Sequence, residues 1–218
     1  MKPDRVKEYD YYLFDADGTL FDTTEMIIRC FENTAKVHGL PQPGRREIIS
    51  HVGMTLRKQM ESYFGELPDA LYDRYRDTHM TYQLEIFRDY LRLCPGVAEA
   101  LQCLHERGKQ CAVVTSRMLE TLALYLKETG IDGYFSVLVT PECTIRHKPD
   151  PQPAQEALAR LNGAPERALL IGDSNYDIEC GQRAGLATAF VTWSHNPVTI
   201  LHSTPTYLFS DMRDLCVW

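Results

Sequence analysis

The chemistry in this chain is concentrated in a few short stretches. Asp15-Ala16-Asp17-Gly18-Thr19 places two carboxylates two residues apart, directly after the apolar run Tyr11 to Phe14. In an extended chain such side chains point the same way, and Gly18 permits the turn that follows. Close carboxylates repel and raise one another's pKa. A divalent cation removes that penalty, and hard oxygen ligands suit Mg2+. Asp173 supplies a further carboxylate, and Asp177 lies about one helical turn beyond it. Thr115 offers a hydroxyl. Ser116 and Arg117 open a helical region, where free backbone N–H groups favour anions. Lys148, before Pro149, can bring a point charge to the same place. Carboxylates with a metal, a hydroxyl, exposed N–H groups and a lysine suit phosphoryl transfer.

Each stretch alone has an ordinary reading. An Asp-x-Asp-Gly tetrapeptide marks turns and calcium loops. Thr115-Ser116, or Asp173 with Asp177, can cap a helix, and Lys148 can be a solvated surface lysine. The functional reading comes from their order, with the acidic and hydroxyl stretches each at the end of an apolar run.

Those runs are the strands that must position the chemistry. Tyr11 to Phe14, Ala112 to Val114, Val137 to Val139, Ala168 to Ile171 and Ala187 to Val191 read as buried strands. A short strand, Tyr207 to Phe209, and a short closing helix are expected in the tail. Helical spacing joins Val97, Leu101 and Leu104; Leu119, Leu122, Ala123 and Leu126; and Ala154, Ala157, Leu158 and Leu161. A shorter helix is expected from about Tyr176 to Ala184. Gly108, Gly130, Gly163 and Gly185 follow these helices, where a left-handed residue is wanted. Strands alternating with helices predict an α/β fold with a doubly wound parallel sheet. Asp15, Asp17, Thr115, Ser116 and Asp173 should then line one crevice at the strand C-termini. From about Thr23 to Leu93 no strand-like run occurs, and Met26, Ile27, Cys30, Phe31 and Thr34 share a helical face. The expected organisation is a core formed by 1–22 and 93–218 with an all-helical cap inserted at 23–92.

The bulk properties narrow the field. The chain has 218 residues, 44% of them apolar, and a net charge of -7 with no basic run, which speaks against nucleic-acid binding. Seven cysteines without a CxxC pair read as reduced thiols. The stretch Met1 to Asp10 is too polar for a signal peptide. No apolar run approaches the ~20 residues of a membrane span. A cytoplasmic protein, monomeric or a homodimer, with no membrane partner is expected.

FDADGTL, VVTS, HKPDP and IGDSNYD, in that order, resemble the four motifs of the haloacid dehalogenase superfamily of phosphatases, and the resemblance spans essentially the whole chain. It implies that Asp15 is the nucleophile and a Mg2+ ligand. Asp17 would bind the metal through its backbone carbonyl and act as general acid, then general base. Thr115 and the Ser116 N–H would hold the phosphate, and Arg117 begins the same anion-binding turn. Lys148 would neutralise charge, and Asp173 and Asp177 would serve the metal. Within the superfamily the chain is similar to phosphoglycolate phosphatases and a related bacterial pyrophosphatase. HKPDPQP, GDSNYDIECGQRAG and FVTW favour the latter. Ala16 stands where a larger apolar residue is usual. Asp17 argues against phosphonate-cleaving relatives, which leaves Lys58 as a surface lysine. Ile27, where mutase relatives carry histidine, argues for hydrolysis over phosphotransfer, and a binding module that has lost catalysis is the non-enzymatic alternative. His51 to Arg57 resembles the cap's specificity loop. There Gly53 would allow close backbone approach and Arg57 could reach a second anionic group or simply be exposed. His147 is a spectator or a polar wall. The expected substrate is a small phosphorylated metabolite, phosphoglycolate-like, or pyrophosphate.

Overall fold

The computed structural model describes residues 6–198 and 201–216. Residues 1–5, 199–200 and 217–218, at the ends and within the expected core, lie outside that description. Six parallel strands form the main sheet: β1 (Tyr11–Phe14), β4 (Gln110–Val114), β5 (Phe135–Val139), β6 (Ala168–Gly172), β7 (Ala187–Val191) and β8 (Tyr207–Phe209). Their order is β5-β4-β1-β6-β7-β8. From β1 the chain builds outward to one side through β4 and β5, then returns to build the other side from β6. The order therefore reverses beside β1, and the crevice at that switch is where open α/β sheets bind ligands.

Alternation along β1 explains why its run is wholly apolar. Tyr12 and Phe14 pack on one face with Val97, Leu101, Leu122 and Tyr125. Leu13 packs on the other with Ala154, Ala157, Leu158 and Leu161. A central parallel strand covered on both faces has no solvent side and no polar position. The covering helices are α5 (Val97–Glu106) and α6 (Leu119–Glu128) on the first face, with α7 (Gln152–Leu161) and α8 (Asn175–Arg183) on the second. A short 3-10 turn, Met212–Cys216, closes the tail and buries Met212 and Leu215 against the first face.

Glycine closes three of the four core helices as expected, with Gly108, Gly130 and Gly185 at φ 67, 71 and 81°. After α7 the left-handed residue is Asn162 (φ 52°), one position before the glycine expected to take that role. Gly163 is needed for closeness instead: a Cβ there would lie 3.1 Å from the Tyr11 ring and from Leu158. Asparagine tolerates the left-handed region better than most residues, so the helix ends there.

Between β1 and β4 the chain makes four helices: α1 (Thr24–His38), α2 (Arg45–His51), α3 (Leu56–Phe64) and α4 (Asp69–Tyr90). They leave and rejoin the core through a two-stranded antiparallel ribbon, β2 (Phe21–Asp22) with β3 (Arg92–Leu93). The ribbon lies beside the two boundaries expected between core and cap. The helices have their own core of Ile28, Phe31, Ile48, Met60, Leu67 and Tyr75. α1 serves both clusters: Met26 and Cys30 pack toward the sheet, Ile28 and Phe31 toward the other helices. The buried face of α1 therefore includes Ile28, while Ile27 is only partly buried and lines a cavity. No described helix is long and apolar enough to cross a membrane.

Candidate active site

Register brings the chemistry together. Phe14 pairs with Val113 on one side and Ile171 on the other, so the residues beyond these strand ends sit side by side. Asp15 follows β1, Thr115 follows β4, and Asp173 follows β6. The Asp15 N–H donates to the Ile171 carbonyl (2.9 Å), and the Thr115 N–H to the Val139 carbonyl (3.0 Å). Backbone ladders thus fix both side chains before any ligand is present.

Asp15, Asp173 and Asp177 form a buried cluster, each contributing a carboxylate oxygen within 4.8 Å of the others. Lys148 reaches into it from the loop before α7. Its ammonium donates to Asp15 Oδ1 (2.6 Å), Asp177 Oδ1 (2.5 Å) and the Val114 carbonyl (3.1 Å), which uses all three donors. Burial pushes Asp15 upward, against the pull of Lys148, to about 7. Burial also raises Asp173 well above the usual carboxylate range, and the charges of Asp15 and Asp177 add to it. Burial works against charge on Lys148, but Asp15 and Asp177 more than offset it and hold the ammonium above its ordinary value.

The charge count of this cluster is informative. With all three carboxylates ionised, the single ammonium would leave two negative charges in a buried place. Asp173 Oδ1 is buried and has no hydrogen-bond partner. A buried polar atom without a partner is costly. A hard divalent cation would satisfy that oxygen and balance the charge, so the donor set fits one.

Asp177 carries a second duty. Its Oδ2 accepts from the Ser174 N–H (3.1 Å) and hydroxyl (2.5 Å), a capping box at the start of α8. The helix-cap reading and the cluster reading therefore both hold, one for each oxygen.

Asp17 departs from expectation. The strand ends at Phe14 and the chain turns at once, with the Leu20 and Phe21 N–H groups donating to the Ala16 carbonyl. The two-residue alternation does not extend through Asp17, and its side chain leaves the carboxylate cluster. It accepts from Arg117 Nε (2.9 Å) and Nη2 (2.6 Å), and from the Thr23 hydroxyl (2.5 Å). This also corrects the expectation for Arg117. Its guanidinium lies largely buried 4.5 Å from the centre of the Tyr125 ring, committed to the Asp17 carboxylate and not free for a ligand anion. Burial opposes its charge, and Asp17 with Tyr125 keeps its pKa raised.

The loop after α2 comes down onto this end of the sheet. Ser116 Oγ donates to the Gly53 carbonyl (2.6 Å). Gly53 has φ 103°, and a Cβ there would lie 2.9 Å from Ser174 Oγ and 3.0 Å from the Tyr176 ring. The close approach at Gly53 is thus to the protein's own Ser174 and Tyr176. The donors of Arg57 go to Glu61 (2.9 Å), Asp69 (2.8 Å) and the Leu67 carbonyl (2.9 Å), away from the cluster. Between loop, helices and sheet lies a cavity of about 60 Å³ reached by Asp15, Asp17, Thr115, Ser116 and Arg117. His147 and Lys58 line a separate outer groove beside it.

Residues 12–191 match the model for haloacid dehalogenase-like hydrolases. The chain belongs to this family. The pyrophosphatase PpaX of Bacillus pumilus is 33% identical over 204 residues, covering 93% of each chain. PpaX of Listeria monocytogenes is 35% identical over 206 residues, again covering 93% of each. Among solved structures, a protein from Haemophilus somnus described as a predicted phosphoglycolate phosphatase superposes with a TM-score of 0.85 at 25% identity, covering 96% of this chain and 97% of that one. CbbY from Rhodobacter sphaeroides, solved with xylulose-1,5-bisphosphate, reaches 0.83 at 18% identity over 94% and 95%. At that identity the likeness speaks for the fold alone. The family assignment, the parallel sheet and a hydrolase all agree with the four sequence motifs.

Four partners of the site were not read from sequence. Ser174 had a signal, since Ser-x-x-Asp before a helix is a capping box. Thr23, Asn196, whose amide donates to the Asp173 carbonyl (3.3 Å), and His79 carried none, because only tertiary folding brings them near.

Proposed function

We propose that the chain is a Mg2+-dependent phosphatase acting on a small phosphorylated metabolite through a phospho-aspartyl intermediate. The observation that carries this reading is the placement of Asp15, which belongs to the carboxylate–lysine cluster and also opens onto the cavity. A nucleophile needs both a charge-compensated setting and a face toward substrate.

Asp15, Asp173 and Asp177 would hold the Mg2+, with the Asp17 backbone carbonyl as the resemblance implies. Bound there, the cation would offset the repulsion between carboxylate and phosphate and stabilise charge on the transferring group. Lys148 favours the ionised form of Asp15 against the effect of burial and orients it. Asp15 attacks phosphorus as the bond to the leaving oxygen breaks. That oxygen takes its proton from Asp17, which must first leave the Arg117 fork. Asp17 then accepts a proton from water, which attacks the acyl phosphate and releases inorganic phosphate and free Asp15. Thr115 and Ser116 stand at the end of β4, beside the position the phosphate would occupy. Helices α1 to α4 act as a cap domain (23–92) that excludes water and reopens for release. The seven unpaired cysteines support a cytoplasmic setting.

The test is phosphate release from a generic aryl phosphate with and without Mg2+. Asp15→Asn should abolish turnover while leaving the melting behaviour folded, and a chelator should stop the wild type reversibly. Near-normal turnover in either case would refute the reading.

A further inference from the structure

The three carboxylates of the buried cluster are held in different ways. Asp15 takes the Lys148 ammonium (2.6 Å). Asp177 takes the same ammonium on Oδ1 (2.5 Å), and the Ser174 N–H (3.1 Å) and hydroxyl (2.5 Å) on Oδ2. Among the described residues no group donates to the Asp173 carboxylate, and its Oδ1 is buried without a partner. Whatever orients Asp173 must therefore act by contact or through its backbone.

Contact comes from Gly18. A Cβ there would lie 2.3 Å from Asp173 Oδ2, so the bare glycine backbone walls that oxygen on one side. The backbone hold comes from the loop after β7. Asp173 sits between the last residue of β6, Gly172, and the residue that caps α8, Ser174. Neither ladder nor helix supplies a donor for its carbonyl there. Asn196 is buried, and its Nδ2 donates to that carbonyl (3.3 Å), the one hydrogen bond it receives among the described residues.

The loop is itself anchored. At its start, the Thr192 N–H (2.8 Å) and hydroxyl (3.0 Å) both donate to the Phe209 carbonyl at the end of β8. Trp193 packs, partly buried, against the apolar cluster that contains Phe21 and Cys94. The Asn196 N–H donates to the Ser194 hydroxyl oxygen (3.1 Å), closing the turn that carries the buried amide.

We propose that Asn196 is a positioning residue for the cation: through the Asp173 carbonyl it fixes the one cluster carboxylate that no donor holds, and so presents Oδ1 to Mg2+. It touches neither metal nor substrate. The proposal rests on the reading of the cluster as a Mg2+ site and adds a residue to it. Removing a group that orients a metal ligand from behind costs about 10–100-fold in metal affinity. Asn196 grips the backbone and not the carboxylate, so the low end of that range is expected.

The test is calorimetric titration of the metal-free protein with Mg2+ alone, which needs no turnover. Asn196→Leu keeps the size of the side chain and removes the donor. It should raise the Mg2+ Kd about ten-fold and shrink the Mg2+-dependent rise in melting temperature at equal metal. Ser194→Ala, at a partly exposed position, should raise the Kd in the same direction by less, and it decides the matter if Asn196→Leu does not fold. A wild-type Kd in the folded variant would overturn the proposal, even if its metal-free melt were lower, since a merely structural loop would give that pattern. A wild-type protein that binds no Mg2+ would instead remove the metal reading of the cluster, and this proposal with it.

Discussion

The two sides of the cavity are built by opposite means. Below it, at the sheet's C-terminal end, charged groups hold one another: Lys148 spends all three donors on Asp15, Asp177 and a carbonyl, and Arg117 grips Asp17. Above it, the helical wall is mostly apolar, and Gln59 Oε1 and His79 Nδ1 are buried there without a hydrogen-bond partner. Charge fixes geometry but tolerates few ligands. An apolar wall with unpaired acceptors leaves geometry looser and selects by size and polarity. The lower side is held by ion pairs and hydrogen bonds, and the upper side mainly by apolar packing.

Lys148→Met should break this contrast most severely. It would leave three buried carboxylates with no ammonium among them. Losing one partner of a buried ion pair costs about 3–5 kcal/mol, so the melting temperature should fall by many degrees. Mg2+ should recover much of that loss, and should raise the melt of the variant more than that of the wild type. A variant that melts like the wild type, or ignores Mg2+, would mean that the cluster is not held by charge balance.

His79→Met tests the upper side. The ordinary imidazole value is 6.5, and burial lowers it to about 3 in the fold. The unfolded chain therefore binds a proton that the folded chain refuses between these values. The contribution is fully present above pH 6.5 and is lost as pH falls toward 3. At pH 5 the wild type should have lost about 2 kcal/mol from this residue alone, taking 1.36 kcal/mol per pH unit. The variant should show a correspondingly shallower acid limb in denaturant melts from pH 7 to 5. Parallel limbs would show that His79 does not titrate with unfolding.

The same division explains what was legible in the sequence. The strands and the residues at their ends could be read because an apolar run buried on both faces admits no polar residue until it stops, as at Phe14–Asp15 and Ile171–Gly172–Asp173. The side-chain directions of Asp17 and Arg117 could not be read because the turn after Phe14 and the reach of a long side chain depend on tertiary contacts. For Arg57 the sequence left two readings open, and its contacts could not be read: Glu61 is a visible i,i+4 partner, but Asp69 and the Leu67 carbonyl come from a segment that folds back on it. Gln59 and His79 left no mark, since a buried polar residue on an otherwise ordinary helix has no spacing to betray it.

The two sides meet at Gly53, and there the smallest of these effects is expected. Its φ of 103° is a conformation that residues with a Cβ resist, and its carbonyl takes the Ser116 hydroxyl. A side chain would press on Ser174 and Tyr176, which belong to the charged side. Gly53→Val should therefore disfavour the closed arrangement by about 1–3 kcal/mol, without touching any charged group. The expected outcome is a KM raised roughly ten-fold, with stability and response to Mg2+ close to wild type, because the Lys148 cluster remains intact. If Gly53→Val instead weakened the Mg2+-dependent rise in melting temperature, the two sides would be energetically one unit, and the separation of reaction from selection would not hold.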